Sequence, residues 1–138
     1  MNTHPYFDTH VTISIEQLDD DTQLVRVGGE LDAMALPRLF RVLGALPQPE
    51  KVVIDIRKAL FVSRTALRAL TDLNALTSLE DATLVIVAPH SVANVYDTVD
   101  EAHETIMCTT LRDAWLLLDE ASRAHLRLVK AGATHAAC

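Results

Sequence analysis

Alternating apolar and polar residues mark the first regular element of the chain. Residues 11–16 alternate with a period of two, which is typical of a strand with one buried face. The acidic segment DDDT at 19–22 predicts a turn, and the apolar run at 24–27 predicts a second strand. We therefore expect a β-hairpin at a sheet edge, ended by the glycine pair at 28–29 and followed by a loop at 30–32.

A second apolar pattern lies in the middle of the chain. The β-branched run VVIDI at 52–56 is interrupted only by Asp55, which is typical of a strand covered on both faces. After Ser63 the period changes to three or four residues, as on one face of a helix. The residues that form this stripe are Ala66, Leu67, Ala69, Leu70, Leu73 and Leu76. The pattern predicts a strand, a short connector and a helix whose first turn holds Ser63, Arg64 and Thr65.

The remaining patterns continue the alternation of strands and helices. Pro37 suits the first turn of a helix, because its missing N–H would be unpaired there. A buried strand is predicted at 84–87, a short helix at 91–97 and at most a short edge strand at 105–107. Thr110 can open a final helix that runs past 121. We predict an α/β fold with a mixed sheet of four to five strands, an N-terminal hairpin and about four helices packed mainly on one face.

Length and composition favour one domain with a protein partner. The chain has 138 residues, of which 49% are hydrophobic, enough for one core. We assign 1–10 to an N-terminal arm, 11–126 to the domain and 127–138 to a flexible tail. The net charge of −7 argues against binding nucleic acid or an anionic membrane. The opening residues lack the pattern of a signal peptide and no run is long enough to span a membrane, so we expect a cytoplasmic protein.

Few residues carry obvious chemistry. Cys108 and Cys138 leave two interpretations open, a small buried residue with a tail cysteine or a redox pair. The six histidines do not cluster at ligand spacing, so no metal and no cofactor is expected. No nucleophile stands in a recognisable setting with a base, which favours a non-enzymatic protein.

Three blocks of sequence, in this order and spacing, resemble a known family. They are VRVGGELD at 25–32, VVIDI with LFVSRTALRAL at 52–56 and 60–70, and LVIVAP at 84–89. Together they make the span from Val11 to Ala121 similar to a STAS domain, the fold of bacterial anti-sigma factor antagonists. The resemblance implies a protein that binds an anti-sigma factor of the serine-protein kinase type. By switching partners it frees a sigma factor and regulates transcription, as in a stress response.

The resemblance also implies site residues. In the family the strand ends in Asp-Ser-Ser-Gly, whose first serine is phosphorylated; here those positions hold Ser63, Arg64, Thr65 and Ala66, so Arg64 stands at the acceptor position. Ser63 and Thr65 are the remaining phosphorylation candidates, and each is equally suited to capping the helix. The alternative function is a non-phosphorylatable STAS scaffold, adaptor or sensor module.

Five residues are expected to contact the partner: Asp32, Ser63, Arg64, Thr65 and Arg68. Asp32 matches the aspartate of the family's Gly-Glu-Leu-Asp loop, and its alternative role is to cap the helix that contains Pro37. Arg64 and Arg68 share one helical face, where they form either a solvated basic edge or a partner contact. Self-association into a homodimer through the edge of the opening hairpin stays open as well.

Overall fold

The computed structural model describes residues 10–47, 49–72, 82–99 and 106–120. Within them, five strands form one sheet in the order β1-β2-β3-β4-β5. The strands are β1 (Val11–Asp19), β2 (Thr22–Leu31), β3 (Lys51–Val62), β4 (Thr83–Val87) and β5 (Ile106–Cys108). β1 runs antiparallel to β2, and every later pair of neighbours is parallel. The predicted mixed sheet with an N-terminal hairpin is confirmed.

The helices begin where the local sequence predicts. They are α1 (Leu36–Gly44), α2 (Arg64–Thr71), α3 (His90–Val99) and α4 (111–120). Pro37 lies in the first turn of α1. The Thr110 hydroxyl accepts a hydrogen bond from the Asp113 N–H at 3.0 Å, which caps the start of α4. The parts of α2 and α4 predicted near Leu76 and beyond 121 lie outside the described residues, as do residues 1–9 of the N-terminal arm and the tail.

Two apolar layers sandwich the sheet. On one face α1 and α2 bury leucines against β1, β2, β3 and β4, and Val92 of α3 packs against the same layer. On the other face Ala114 and Leu118 of α4 pack against Leu24, Val53 and β4. Three of the four described helices therefore share one face, as predicted. Of the residues that the structure describes, those at the carboxyl ends of β2 and β3 do not belong to the α4 layer, and Leu60 and Phe61 there are exposed.

Two boundaries in the middle of the sheet differ from the sequence prediction. β2 continues through both glycines to Leu31, so the predicted loop at 30–32 is wrong for its first two residues. β3 continues to Val62, so the short connector predicted before Ser63 is also wrong, and Asp55 lies inside the strand rather than at its end. Because Arg57 and Lys58 are polar, the apolar pattern ends before them and does not predict this continuation. Pairing with β2 holds the strand in place despite them, and two irregularities in the register absorb the extra β3 residues.

Candidate protein-binding site

The pairing of β2 with β3 decides where the candidate residues lie. Leu31 pairs with Val62 at the carboxyl ends of these parallel strands, and the Ser63 N–H donates to the Leu31 carbonyl oxygen at 2.9 Å. Asp32 follows Leu31 directly, and Ser63 opens α2. The loop that contains Asp32 and the first turn of α2 are therefore neighbours at one edge of the sheet, although they are separated by about thirty residues of sequence.

Asp32 organises the turn that enters α1. One of its carboxylate oxygens, Oδ1, accepts hydrogen bonds from the N–H groups of Met34 at 3.0 Å and Ala35 at 3.1 Å. Ala35 is the residue that precedes the first turn of α1. The side chain of Asp32 is half-buried, and that of Met34 is 69% exposed. The carboxylate thus holds the turn before α1 and, contrary to the predicted alternative role, does not cap the helix itself, and it remains partly accessible at the edge.

Ser63 is the N-cap of α2. Its hydroxyl oxygen accepts a hydrogen bond from the Ala66 N–H at 3.0 Å, and its backbone is extended. Such a cap contributes about 1 kcal/mol to helix stability. The side chain is half-buried, so the hydroxyl has a structural role in the unmodified protein.

The next residues of α2 face solvent. Arg64, Thr65 and Arg68 are all exposed. Arg64 also lines a cavity of about 300 Å³ between the start of α2 and α3. The other residues that line it are Val62, Leu67, Ser91, Val92 and Val95. A guanidinium beside an apolar cavity suits a partner that offers both a carboxylate and an aliphatic side chain.

Two exposed apolar side chains at this edge were missed by the sequence reasoning. Leu60 is 87% exposed and Phe61 is 55% exposed, although both lie in the central strand. The apolar layer on the α1 and α2 side of the sheet includes Ile56, Ala59 and Val62. These residues are three apart, whereas a regular strand places every second residue on the same face. This spacing is the sequence signal that the strand bulges between them. At the second bulge the register passes from Gly29 opposite Ala59 to Glu30 opposite Phe61, so Leu60 is the extra residue and stays outside the core.

An ion pair lies earlier in β3, on the face that α4 covers. Asp55 is 3% exposed, and its two carboxylate oxygens accept hydrogen bonds from Nε and Nη2 of Arg57, both at 2.9 Å. The Arg57 backbone N–H adds a third hydrogen bond at 3.0 Å. Burial raises the pKa of Asp55, but the hydrogen bonds and charge of Arg57 outweigh it, so the pKa lies below its usual value. The pair has a structural role, and we assign it no partner contact.

The remaining candidate chemistry stands apart from this edge. The Cys108 thiol donates to the Thr110 carbonyl oxygen at 3.4 Å, and burial raises the pKa of the thiol, which disfavours the reactive thiolate. Cys138 lies outside the described residues, so the redox pair stays a prediction. No group of three or more histidine, cysteine or acidic side chains that could hold a metal ion occurs within the described ranges. In the same part of the chain, no helix is long and apolar enough to cross a membrane.

Comparison with known proteins identifies the fold. No family model and no curated protein matches the chain. An anti-sigma factor antagonist from Mycobacterium paratuberculosis superposes with a TM-score of 0.66 at 24% identity, over 78% of this chain and 92% of that one. The anti-sigma factor antagonist SpoIIAA in its unphosphorylated form gives 0.57 at 12% identity, over 79% and 98%. An RsbS variant from Moorella thermoacetica gives 0.60 at 19% identity, over 80% and 97%. The chain therefore has the STAS fold, the fold of the anti-sigma factor antagonists.

Proposed function

We propose that this protein is an anti-sigma factor antagonist that acts in the bacterial cytoplasm by binding rather than by catalysis. Its partner is an anti-sigma factor of the serine-protein kinase type, and binding releases the sigma factor that the partner holds. The observation that carries the proposal is the strand register, which brings Asp32 beside the exposed first turn of α2 in a protein with the antagonist fold.

The proposed docking surface combines charge with apolar area. We define it by eight residues: Asp32, Met34, Leu60, Phe61, Ser63, Arg64, Thr65 and Arg68. Leu60, Met34 and Phe61 are among the most exposed large apolar side chains of the described residues, and burying each one fully contributes about 1.5–3 kcal/mol. In a chain with a net charge of −7, Arg64 supplies a local cation that an acidic group of the partner can pair with.

We predict that Arg64→Glu and Phe61→Ser each weaken binding to the cognate anti-sigma kinase by about tenfold to a hundredfold, or about 1.4–2.7 kcal/mol. The first change replaces attraction by repulsion, and the second removes apolar contact area. The measurement is isothermal titration calorimetry against the anti-sigma kinases of the native host. Arg41→Glu is the matched control, because Arg41 is exposed in the last turn of α1 and outside the docking surface. An equal loss in the control, or no binding by any kinase, contradicts the proposal.

Thr65 is the better candidate for a regulatory phosphate. Its side chain is exposed, whereas the hydroxyl of Ser63 is half-buried and occupied by the cap. The kinase would transfer the γ-phosphoryl group of ATP to the hydroxyl oxygen, releasing ADP and the hydroxyl proton. The phosphate would then sit in the first turn of α2, where the helix dipole and Arg64 favour an anion. Pairing with the phosphate would withdraw Arg64 from the partner and end binding.

Intact-mass measurement after incubation with the kinase and ATP tests this switch. We predict a gain of one phosphoryl group that is lost in Thr65→Ala and retained in Ser63→Ala. Because Ser63→Ala removes the helix cap, which is worth about 1 kcal/mol, its folding is first verified by circular dichroism. If the phosphoryl group is lost in Ser63→Ala but retained in Thr65→Ala, the acceptor is Ser63 and the assignment to Thr65 is wrong.

A second function is supported by Arg64 itself. An arginine cannot accept a phosphate, and it occupies the position where the resemblance places the acceptor serine. The protein would then be a STAS scaffold, adaptor or sensor module that its partner cannot switch off. Binding to the anti-sigma factor without any change in mass is the result expected for this alternative.

A further inference from the structure

We propose that β1 pairs antiparallel with β1 of a second copy of this chain, with the two-fold axis at Ile15. The two sheets would then form one continuous sheet across the dimer. Among the described residues, no strand pairs with the outer edge of β1. This inference does not depend on the proposed function, because it concerns the outer edge of β1, which carries no residue of the docking surface.

The alternation of hydrogen bonds along the hairpin shows which backbone groups of β1 face away from β2. The His10 carbonyl oxygen accepts from the Glu30 N–H at 2.9 Å, so His10 faces β2. Along β1, residues whose backbone N–H and C=O groups bond to β2 alternate with residues whose N–H and C=O groups point away from β2. This alternation assigns Val11, Ile13 and Ile15 to the outer edge. Nη1 of Arg38 already donates to the Val11 carbonyl oxygen at 3.0 Å. The open part of the edge is therefore the stretch 13–17.

The side chains of this stretch carry little of the usual protection of an edge strand, and the bulge in β1 begins only after Gln17. β1 contains no proline and no lysine, the residues that commonly keep edges apart. Ile15 is 50% exposed, although it pairs with the fully buried Val25 on the α1 side of the sheet. The apolar layer on the α1 side of the sheet therefore ends at Ile15, whose side chain is half exposed to solvent. Glu16 lies on the opposite face, 3.9 Å from Arg26 of its own chain.

The bulge in β1 and apolar matching select the register and the second copy as occupant. With the axis at Ile15, the exposed isoleucines of the two copies lie opposite each other, and Ser14 lies opposite Glu16 of the second copy. All pairs from 13 to 17 then lie before the bulge between Gln17 and Asp19. Moving the axis to Gln17 would require pairing beyond that bulge. Moving it to Ile13 would place Ile15 opposite the partner's Val11, whose carbonyl oxygen is taken by Arg38.

A symmetric cysteine substitution tests the register. In full-length protein that carries Cys108→Ala and Cys138→Ala, we expect Ile15→Cys to form a disulfide-linked dimer under mild oxidation. Its two Cα atoms would lie about 5.5 Å apart, a distance that a disulfide spans. Ser14→Cys is the matched control, because Ser14 is also exposed but would lie about 7–8 Å from its own copy, too far for a disulfide. Equal crosslinking of both variants would overturn the register.

Sedimentation equilibrium without crosslinking tests the association itself. We expect the wild-type chain to dimerise and Ile15→Pro to raise the dimer dissociation constant at least a hundredfold. Proline at 15 removes an outward N–H and leaves the ladder with β2 in place. Circular dichroism verifies that the variant folds. Because each chain carries −7, the measurement is made at about 0.15 M salt, where such repulsion is screened. A wild-type chain that stays monomeric, or an Ile15→Pro variant that dimerises as well as wild type, would contradict the proposal.

Discussion

Replacing Gly29 with alanine is expected to lower the free energy of unfolding by about 3–5 kcal/mol, among the largest effects that a single substitution has. Gly29 has a φ of +82°, where a residue with a Cβ costs about 1–2 kcal/mol. A Cβ on its backbone would also lie 1.8 Å from the carbonyl oxygen of His10. That oxygen belongs to the backbone of the residue that precedes β1 and accepts the Glu30 N–H, so the alanine must push the start of β1 away and break the end of the hairpin.

Gly44→Ala provides the matched control for this prediction. Apart from its chain neighbours and the backbone of its own helix, no described residue places an atom within 4 Å of a Cβ built at Gly44, the last residue of α1. We expect this variant to be unchanged or stabilised by up to about 1 kcal/mol, because alanine favours helix and loses less backbone entropy on folding. Urea unfolding followed by circular dichroism measures both variants. Similar stabilities for the two would contradict the assigned close approach between β1 and β2.

Arg57→Met is expected to lower the free energy of unfolding at neutral pH by about 2–3 kcal/mol. The substitution keeps most of the aliphatic volume but leaves the Asp55 carboxylate, which is 3% exposed, without its guanidinium. Removing one partner of a buried ion pair costs about 3–5 kcal/mol, and we discount this value because Arg57 itself is partly exposed. Arg26→Met is the control: its pair with Glu16 at 3.9 Å is exposed, and its charge lowers the pKa of Asp55 less than Arg57 does, so its loss should cost less than about 0.5 kcal/mol.

The pH dependence of this effect has a defined sign. In the wild-type protein the pKa of Asp55 lies below its usual value despite burial, because Arg57 binds the charged form. The pair therefore contributes its stabilisation above the unfolded pKa of about 3.9 and loses it as the pH falls through the lower folded pKa. Arg57→Met removes the side-chain hydrogen bonds and the charge of Arg57, while burial, the backbone N–H of residue 57 and the charge of Arg26 remain, so the pKa of Asp55 lies higher than in the wild type. The difference in stability between wild type and variant should shrink below about pH 4; a constant difference across that range would rule out this account.

Local sequence determined most of the elements. The two-residue period at 11–16 and the apolar runs at 52–56 and 84–87 each predict a strand that the structure contains. Pro37 and Thr110 mark helix starts for reasons that involve only the next few residues: a missing N–H, or a hydroxyl that reaches a free amide. Such signals do not depend on residues distant in the sequence, so they can be recognised from the sequence alone.

Ser63 shows how far a local signal reaches. Its type and position predicted a helix cap, and the structure contains that cap. Its neighbourhood with Asp32 followed from no local pattern, because it depends on the register of β2 against β3. The resemblance to the family supplied the expectation that both residues contact the partner.

Only the tertiary structure decided where the central strands end and what they expose. Alternation predicted that β2 stops at its glycines and β3 before Arg57, yet the two strands continue together because each supplies the other with backbone hydrogen bonds. Their unequal lengths are absorbed by bulges, which leave Leu60 and Phe61 in solvent. Hydrophobic periodicity thus determined the elements of this protein. Pairing between segments distant in the sequence decided the register, and the register decided which side chains a partner can reach.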